Sequence, residues 1–194
     1  VPGSGGKDSC YAAHILKYKY GMNPLTVTWP PILYTSYGLD NFKNWLTTGK
    51  FKNISAKRNE NFFKILTKES ILNLLHPFQT FILGQKNFAP KIAKKLNIPL
   101  VFYGENEAEH GNPISDNNSS LRDISYFAYK NFKDLRLGSL KINELMSTYN
   151  FKYKDFEDIL PLKADELDNF PLEVHYLGYY LKWIPQEAFY YSLE

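Results

Sequence analysis

The sequence predicts an α/β fold with a doubly wound, mostly parallel sheet, and three observations support this class. Short β-rich runs alternate with segments of helical periodicity from the start of the chain to residue 103. A glycine-rich loop stands between the first run and the first helical segment. Gly and Pro separate many of the remaining segments. Strands that alternate with helices are typical of a parallel sheet that helices cover on both faces.

The first part of the chain contains the predicted strands and helices of this core. Val1–Gly3 has the character of the end of a strand. Because strands normally have about five or six residues, we expect a further segment before Val1. The glycine loop and a helix that stops at Gly21 come next. Further strands are predicted at 25–29, 53–56 and 99–103, and further helices at 36–47, 61–75 and 78–96, the last with a bend at Pro90.

The chain changes in character after residue 111. A polar stretch at 116–120 precedes short mixed runs of Tyr, Phe, Lys and Asp, which predict a mainly helical insertion or cap. Residues 172–177 alternate well enough for a last strand and lead into an aromatic segment. The predicted organisation is a core at 1–111 that carries the glycine loop, an insertion at 112–170, and a final strand and aromatic segment at 171–194 packed on the core.

Composition disfavours several classes of function. The 194 residues include 23 Lys and Arg against 20 Asp and Glu, and this net charge of +3 lacks the dense basic cluster of a nucleic-acid binder. The single cysteine, Cys10, permits neither an internal disulfide nor a cysteine-rich zinc site. No apolar run approaches the roughly 18 residues of a membrane span, and no signal peptide is visible. We therefore expect a cytoplasmic protein that binds neither nucleic acid nor a membrane.

The loop Ser4–Ser9 has the pattern S-G-G-x-D-S, and it is the strongest functional signal in the chain. Five fixed residues match by chance on the order of one time in ten thousand for a chain of this length. Two glycines let a backbone approach an anion closely, while hydroxyls and the first amides of a helix donate to phosphate oxygens. The loop is not a Walker A motif, because that motif ends in G-K-[ST]. The residues expected to bind phosphate are Ser4, Gly5, Gly6, Lys7, Asp8 and Ser9.

A carboxylate at Asp8 repels phosphate unless a divalent cation lies between them, so we expect Mg²⁺ to link Asp8 to the phosphates. The structural alternative is a tight turn in which Ser and Asp only cap the helix. Thr28 and Trp29 end a predicted strand beside the loop, where ligands of doubly wound sheets gather, and their backbone groups are candidates for contact with adenine.

The loop resembles the pyrophosphate loop of the ATP pyrophosphatases, or PP-loop enzymes. Val1-Pro2 before the loop, Gly104-Glu105-Asn106 after a strand, and the segment 173–183 are similar to the N-acetyl sugar amidotransferases of that superfamily. Two features depart from the pattern. Gly3 stands where relatives carry a larger apolar residue, and a cysteine-containing segment that often opens these proteins is absent from the sequence.

This resemblance implies a fold of the adenine nucleotide alpha hydrolase (HUP) type, with ATP and Mg²⁺ as cofactors. It further implies an amidotransferase that converts an acetamido group to an acetamidino group in pseudaminic- or legionaminic-type nonulosonic acids for flagellin glycosylation. ATP adenylates the amide oxygen, AMP and pyrophosphate are released, and a separate glutaminase subunit supplies the ammonia. The implied site comprises Gly104 beside ATP, Lys182 with Asp8 as catalytic groups, and Glu105, Asn106 and His175 near the sugar or ammonia.

Two other functions remain open on the sequence. One is a different PP-loop ligase that acts on a small molecule or an RNA base. The other is a nucleotide-binding module without turnover. Sulfur transfer of the thiouridine type is disfavoured, because it relies on a pair of cysteines and the chain has only Cys10. The sequence is also compatible with a homodimer.

Overall fold

The computed structural model describes residues 1–104, 119–131 and 135–193. These residues form a mixed α/β structure with small parallel sheets. The α-helices are α1 (Lys7–His14), α2 (Ser36–Thr48), α3 (Glu60–Leu74), α4 (Gln79–Lys95), α5 (Ile142–Tyr149) and α6 (Pro185–Tyr191). The strands are β1 (Thr26–Thr28), β2 (Asn53–Ser55), β3 (Leu100–Tyr103), β4 (Ala128–Tyr129), β5 (Arg136–Leu137), β6 (Leu140–Lys141), β7 (Leu162–Lys163) and β8 (Glu173–Tyr176).

Two parallel strand pairs form the framework of the core. Strands β1 and β2 pair in parallel with Val27 opposite Ile54. On the other edge of β1, Pro2 forms a parallel bridge to Val27, and the Val27 N–H donates to the Val1 carbonyl at 2.9 Å. Strands β3 and β8 pair in parallel with Val101 opposite Val174. The α/β class and the strands predicted near residues 26, 53, 100 and 173 are thus confirmed.

Polar side chains set the starts of the first long helices. The N–H of Gly38 donates to Thr35 Oγ1 at 3.0 Å and fixes the beginning of α2. The N–H of Phe62 donates to Asn59 Oδ1 at 3.2 Å and does the same for α3. Each bond pairs an amide that the first turn of a helix leaves without a backbone acceptor. The observed starts lie within one residue of the predicted ones for this reason.

One hydrophobic cluster spans most of the molecule. It joins Val27 of β1 and Val101 of β3 to Phe62 and Leu66 of α3 and to Ala89 of α4. Half of its buried members come from residues 127–167. The part of the predicted insertion that the structure describes therefore shares a core with the strands and helices that precede it.

Residues 119–170 also contain strands that the sequence did not predict. Helix α5 and short 3₁₀ turns are present, but β4 pairs with β7 in parallel and β5 pairs with β6 as a hairpin. Each of these strands has two residues, which is too short for an alternating pattern to be recognised in the sequence. The hairpin turns at Gly138, whose positive φ of 57° suits a residue without a side chain.

The C-terminal aromatic segment forms a helix that covers α1. Pro185 is the first residue of α6, a position at which proline is favoured because its φ is already helical. The ring of Tyr11 in α1 lies edge-on to Trp183 and Tyr191, with ring centres 5.4 and 5.2 Å apart. The helix that follows the glycine loop is thereby covered by residues near the other end of the described chain. Of the helices described, none has the length and apolar character needed to cross a membrane.

Candidate functional site

A cavity of about 630 Å³ opens where β1, β3 and β8 reach their carboxyl ends. This volume lies in the usual range for small-molecule sites. The glycine loop, the residues that end or follow these strands, helix α4 and the segment before β4 all contribute to its wall. The polar and aromatic lining includes Ser4, Asp8, Ser9, Trp29, Gln85, Lys86, Tyr103, Arg122, Tyr126 and Tyr176, with Gly3, Gly6 and Gly104 among the small residues.

The glycine loop leads directly into α1, as predicted. Gly6 is the N-cap of α1, and no side chain in the described ranges caps this helix. The first-turn amides of a helix lack backbone acceptors within the helix and carry a partial positive charge, so they suit an anionic ligand. The Ser9 hydroxyl donates to the Gly6 carbonyl at 3.0 Å. It must turn away from that carbonyl before it can donate to a phosphate.

Gly5 and Gly6 differ in backbone conformation and in the space around them. Gly5 has a φ of +85°, and a Cβ there would lie 2.7 Å from Cα of Phe42 in α2. Gly6 has an extended backbone with φ of −75°, and a Cβ there would meet no protein atom within 4 Å. The turn and the contact with α2 therefore require Gly5, whereas Gly6 leaves open space beside the backbone at the cavity.

Gly3 and Gly104 allow the loop to lie against its neighbours. A Cβ on Gly104 would lie 2.5 Å from the carbonyl oxygen of Asp8, so the end of β3 approaches the first turn of α1 only because residue 104 has no side chain. A Cβ on Gly3 would lie 2.3 Å from Ser9 Cβ and 2.8 Å from the ring of Trp45. Gly3 thus fits the narrow space that Ser9 and Trp45 leave.

Asp8 lines the cavity and forms an ion pair with its neighbour in sequence. Lys7 Nζ lies 2.6 Å from Asp8 Oδ1 and 2.8 Å from Oδ2, and both side chains are partly exposed. Within the ranges that the structure describes, no group of three or more His, Cys, Asp or Glu side chains is placed to hold a metal. Protein sites often bind Mg²⁺ through one or two carboxylates together with ligand phosphates and water, so Asp8 alone fits this mode.

Thr28 and Trp29 have different surroundings although they are adjacent. The Thr28 hydroxyl accepts from Asn53 Nδ2 at 2.9 Å and its carbonyl accepts from Ala56 at 2.9 Å, so its polar groups bind the neighbouring strand β2. Trp29 is 5% exposed, lines the cavity and packs against Gly84 of α4. Its Nε1 is buried, and no residue that the structure describes forms a hydrogen bond with it. Trp29 therefore offers the cavity an aromatic surface.

The structure does not bring every predicted residue to the cavity. Neighbouring residues of a strand point to opposite faces, and while Val174 and Tyr176 line the cavity, His175 does not. His175 instead bonds Glu173 at 3.0 Å and Tyr180 at 2.8 Å. Lys182 is exposed and is not part of the cavity lining. Glu105 and Asn106 lie outside the described residues.

Lys86, Arg122 and Tyr126 are cavity residues that sequence reasoning missed. Lys86 lies on α4, and burial together with the nearby charge of Arg122 lowers its pKa. Arg122 stands just before a 3₁₀ turn, and its N–H donates to the Val174 carbonyl of β8 at 2.8 Å. One signal was present in the sequence, since Arg122 is one of only three arginines in a chain that otherwise uses Lys.

Cys10 faces the interior behind the loop. Burial and the charge of Asp8 raise the pKa of its thiol from 9.0 to about 11. Thiolates are the nucleophilic form of cysteine, and burial keeps this thiol protonated near neutral pH. Its side chain packs against the cluster of Ala13, Trp45 and Phe51.

Comparison with the sequence patterns of known protein families finds none that matches the chain, and comparison with curated proteins finds no significantly similar sequence. The resemblance to the PP-loop enzymes therefore depends on the loop and the short motifs quoted above.

Proposed function

We propose that the protein is a PP-loop ATP pyrophosphatase that acts as an N-acetyl sugar amidotransferase. It converts an acetamido group of a nonulosonic acid to an acetamidino group, with ATP and Mg²⁺, and releases AMP and pyrophosphate. The single observation that carries this proposal is the position of Ser4–Ser9. The loop precedes an uncapped helix N-terminus and lines a cavity of about 630 Å³ at the carboxyl ends of the strands.

The loop residues would hold the pyrophosphate part of ATP. The first amides of α1 donate to its oxygens, and the open space beside Gly6 lets them approach the backbone. Asp8 would hold a Mg²⁺ ion, which when bound would supply positive charge beside the phosphates. Lys7, now bound to Asp8, would then be available to a phosphate oxygen. These groups stabilise the leaving group, which is the main task in phosphoryl and adenylyl transfer.

The acceptor amide needs this activation because its oxygen is a poor leaving group. Transfer of AMP to that oxygen makes it a good one, and ammonia then attacks the same carbon. Ammonia from a glutaminase subunit in the cytoplasm completes the reaction in this proposal.

The doubly wound HUP architecture is part of the same proposal. The two parallel pairs would belong to one sheet in the order 53–55, 26–28, 1–3, 100–103, 173–176. Two observations support this order. Val1 and Phe102 pack against one hydrophobic cluster, and Gly104 at the end of β3 lies against Asp8.

A single reaction tests the proposal. The protein is incubated with ATP, Mg²⁺, ammonium chloride and an acetamido nonulosonic acid, and nucleotides and sugar are identified by mass spectrometry. We expect AMP, pyrophosphate and a sugar in which NH replaces one oxygen. ADP and free phosphate would contradict the assignment to the pyrophosphatases. AMP without a change in the sugar would indicate a different PP-loop ligase, and no turnover would indicate a nucleotide-binding module.

A further inference from the structure

A chain of hydrogen bonds lies on the face of β8 that points away from the cavity. His175 Nε2 lies 3.0 Å from Glu173 Oε2, and its Nδ1 lies 2.8 Å from the hydroxyl of Tyr180. The same hydroxyl lies 3.0 Å from Ser120 Oγ. Since Val174, the residue between Glu173 and His175, lines the cavity, the chain of hydrogen bonds stands on the opposite face of the strand. These four polar side chains, the His175 cluster, are therefore separate from the candidate site.

Two neighbouring segments hold the imidazole of His175 in place. Phe102 lies opposite His175 in β3, and its ring centre is 5.6 Å from that of His175 and 5.8 Å from that of Tyr180. Leu121 forms an antiparallel bridge to His175 on the other edge of β8. His175 is buried, whereas Tyr180 is 53% exposed. The imidazole is thus fixed inside the protein, and the phenol beside it is accessible from solvent.

The carboxylate of Glu173 sets which nitrogen of His175 carries the proton. An ionised carboxylate only accepts hydrogen bonds, so Nε2 of the neutral imidazole donates to Glu173. Nδ1 then has a lone pair, and it accepts a hydrogen bond from the hydroxyl of Tyr180. The basic nitrogen of His175 is therefore directed at the phenol of Tyr180.

This order of groups has the geometry of an activated nucleophile. Such sites place a nucleophile within about 2.6–3.2 Å of a base, and a third group orients the base. In the His175 cluster the phenol of Tyr180 is the nucleophile, the imidazole is the base, and Glu173 orients the base and balances the charge of the imidazolium ion. Ser120 can donate to the phenolate oxygen once the proton has moved to His175. The groups needed to make this phenol reactive are thus within hydrogen-bonding distance of one another.

We propose that Tyr180 is the nucleophile of a second group-transfer site, which accepts an acyl group from an activated ester such as an acyl phosphate. The phenolic oxygen attacks the carbonyl carbon while its proton passes to His175 Nδ1. The new O–C bond forms, the bond from that carbon to the leaving oxygen breaks, and the leaving group departs with the electron pair. His175 then gives the proton to water. The site does not depend on the proposed function, because it uses neither the glycine loop nor the cavity.

Labelling with p-nitrophenyl acetate near neutral pH, followed by peptide mass spectrometry, tests the proposal. Tyr37 of α2 is the internal reference, because it is 81% exposed and lies outside the His175 cluster. Exposure alone predicts faster acetylation of Tyr37 than of Tyr180. A positioned base typically accelerates such a reaction about a hundredfold or more, so we expect Tyr180 to react about a hundredfold faster than Tyr37. Labelling of Tyr180 no faster than that of Tyr37, or labelling of Ser120 in its place, would overturn the proposal.

The pH dependence separates assistance by a base from exposure. An unassisted phenol reacts as its phenolate, so its rate rises about tenfold per pH unit below about pH 10, and N-acetyltyrosinamide in the same reaction measures this rise. The rate at Tyr180 should rise much less, because His175 takes the proton from the neutral phenol. Among the described residues, Glu173 and Tyr180 are the titratable groups that contact the imidazole, while Phe102 and Leu121 on the neighbouring segments are apolar. The full phenolate rise at Tyr180 would contradict the proposal.

Three variants assign the roles. His175→Gln should lower the rate at Tyr180 about a hundredfold, because it removes the base. Glu173→Gln keeps an acceptor for Nε2 but removes the charge beside the imidazolium ion, and a loss of about tenfold is expected. Tyr37→Phe is the matched control and should leave labelling of Tyr180 unchanged. Thermal melting verifies that each variant is folded, and Glu173→Gln, at an exposed position, keeps the test valid if His175→Gln unfolds. Unchanged labelling of Tyr180 in either folded variant of the cluster would overturn the proposal.

Discussion

The hydroxyl of Tyr103 donates to the carbonyl of Lys86 at 3.0 Å, and this carbonyl is the one that Pro90 leaves without its helical partner. In α4 the N–H of residue 90 would bind the carbonyl of residue 86, but proline has no N–H. Tyr103 at the end of β3 supplies the missing donor and also lies 3.1 Å from the Gln85 carbonyl. Because Pro90 lacks an N–H, the middle of α4 is hydrogen-bonded to Tyr103 at the end of β3, which lines the cavity.

Tyr103→Phe should destabilise the protein by about 1–2 kcal/mol, because it leaves the Lys86 carbonyl unsatisfied while it keeps the ring. In a Pro90→Ala background the N–H of residue 90 can bind that carbonyl, so the same change should cost less. The measurement is urea unfolding of the four proteins of this double-mutant cycle, with an expected coupling of about 1 kcal/mol. Tyr190→Phe on the exposed face of α6 is the control and should have little effect. An equal cost of Tyr103→Phe in both backgrounds would disprove the link.

Substitution by alanine should mainly lower stability at Gly5 and mainly lower nucleotide affinity at Gly6. Gly5→Ala forces a side chain into a left-handed backbone and against Phe42, so we expect a loss of about 2 kcal/mol or more in unfolding free energy. Gly6→Ala should cost about 1 kcal/mol or less, since its backbone suits alanine. It should nevertheless weaken binding of Mg²⁺ and α,β-methylene-ATP by about tenfold, as the methyl group occupies the approach of the ligand to the backbone. Full nucleotide affinity in Gly6→Ala would argue against the loop as the phosphate site.

Asp8→Asn should abolish pyrophosphate release and leave the fold intact. The ion pair with Lys7 is partly exposed and adds little stability, about 1 kcal/mol at most. Without the carboxylate, the proposed Mg²⁺ site would lose its protein ligand, and the rate should fall about a hundredfold or more. Pyrophosphate assays and thermal melting measure the two effects. Asp40→Asn, on the exposed surface of α2, should behave as wild type. Retained pyrophosphate release in Asp8→Asn would remove this residue from the mechanism.

Cys10 should react slowly while the protein is folded. With its pKa raised from 9.0 to about 11, the thiolate fraction at pH 8 is about a hundredfold lower than in the unfolded chain. Iodoacetamide labelling at pH 8, followed by mass spectrometry with and without urea, should show at least this difference in rate. The folded rate should rise with pH up to about 11, because the thiol loses its proton there. Similar rates in both states at pH 8 would mean that Cys10 is not buried as described.

Elements with local signals were predictable from the sequence. Thr35 and Asn59 stand directly before the helices they cap, and the loop Ser4–Ser9 carries its chemistry in six consecutive residues. In each case the groups that interact are close in sequence. The α/β class, the core strands and the glycine loop at a helix start followed from such signals.

The rest of the site required the tertiary structure. Lys86 and Arg122 come from separate elements and meet only because Arg122 pairs with β8 and α4 lies over the cavity. His175 was expected near the substrate, but the strand directs its neighbours Val174 and Tyr176 to the cavity. The face that each residue takes depends on which neighbours cover the sheet, and a four-residue strand alone does not reveal this.

The pairing of β8 with β3 and the packing of α6 on α1 also have a consequence for synthesis of the protein. The loop at residues 4–9 leaves the ribosome long before the strand that carries Tyr176 and the helix that covers Tyr11, which are made more than 150 residues later. Contacts between such distant parts of a chain form late in folding. A nascent chain therefore exposes the apolar side of α1 until residues 173–191 emerge, and it acquires its ligand cavity only then.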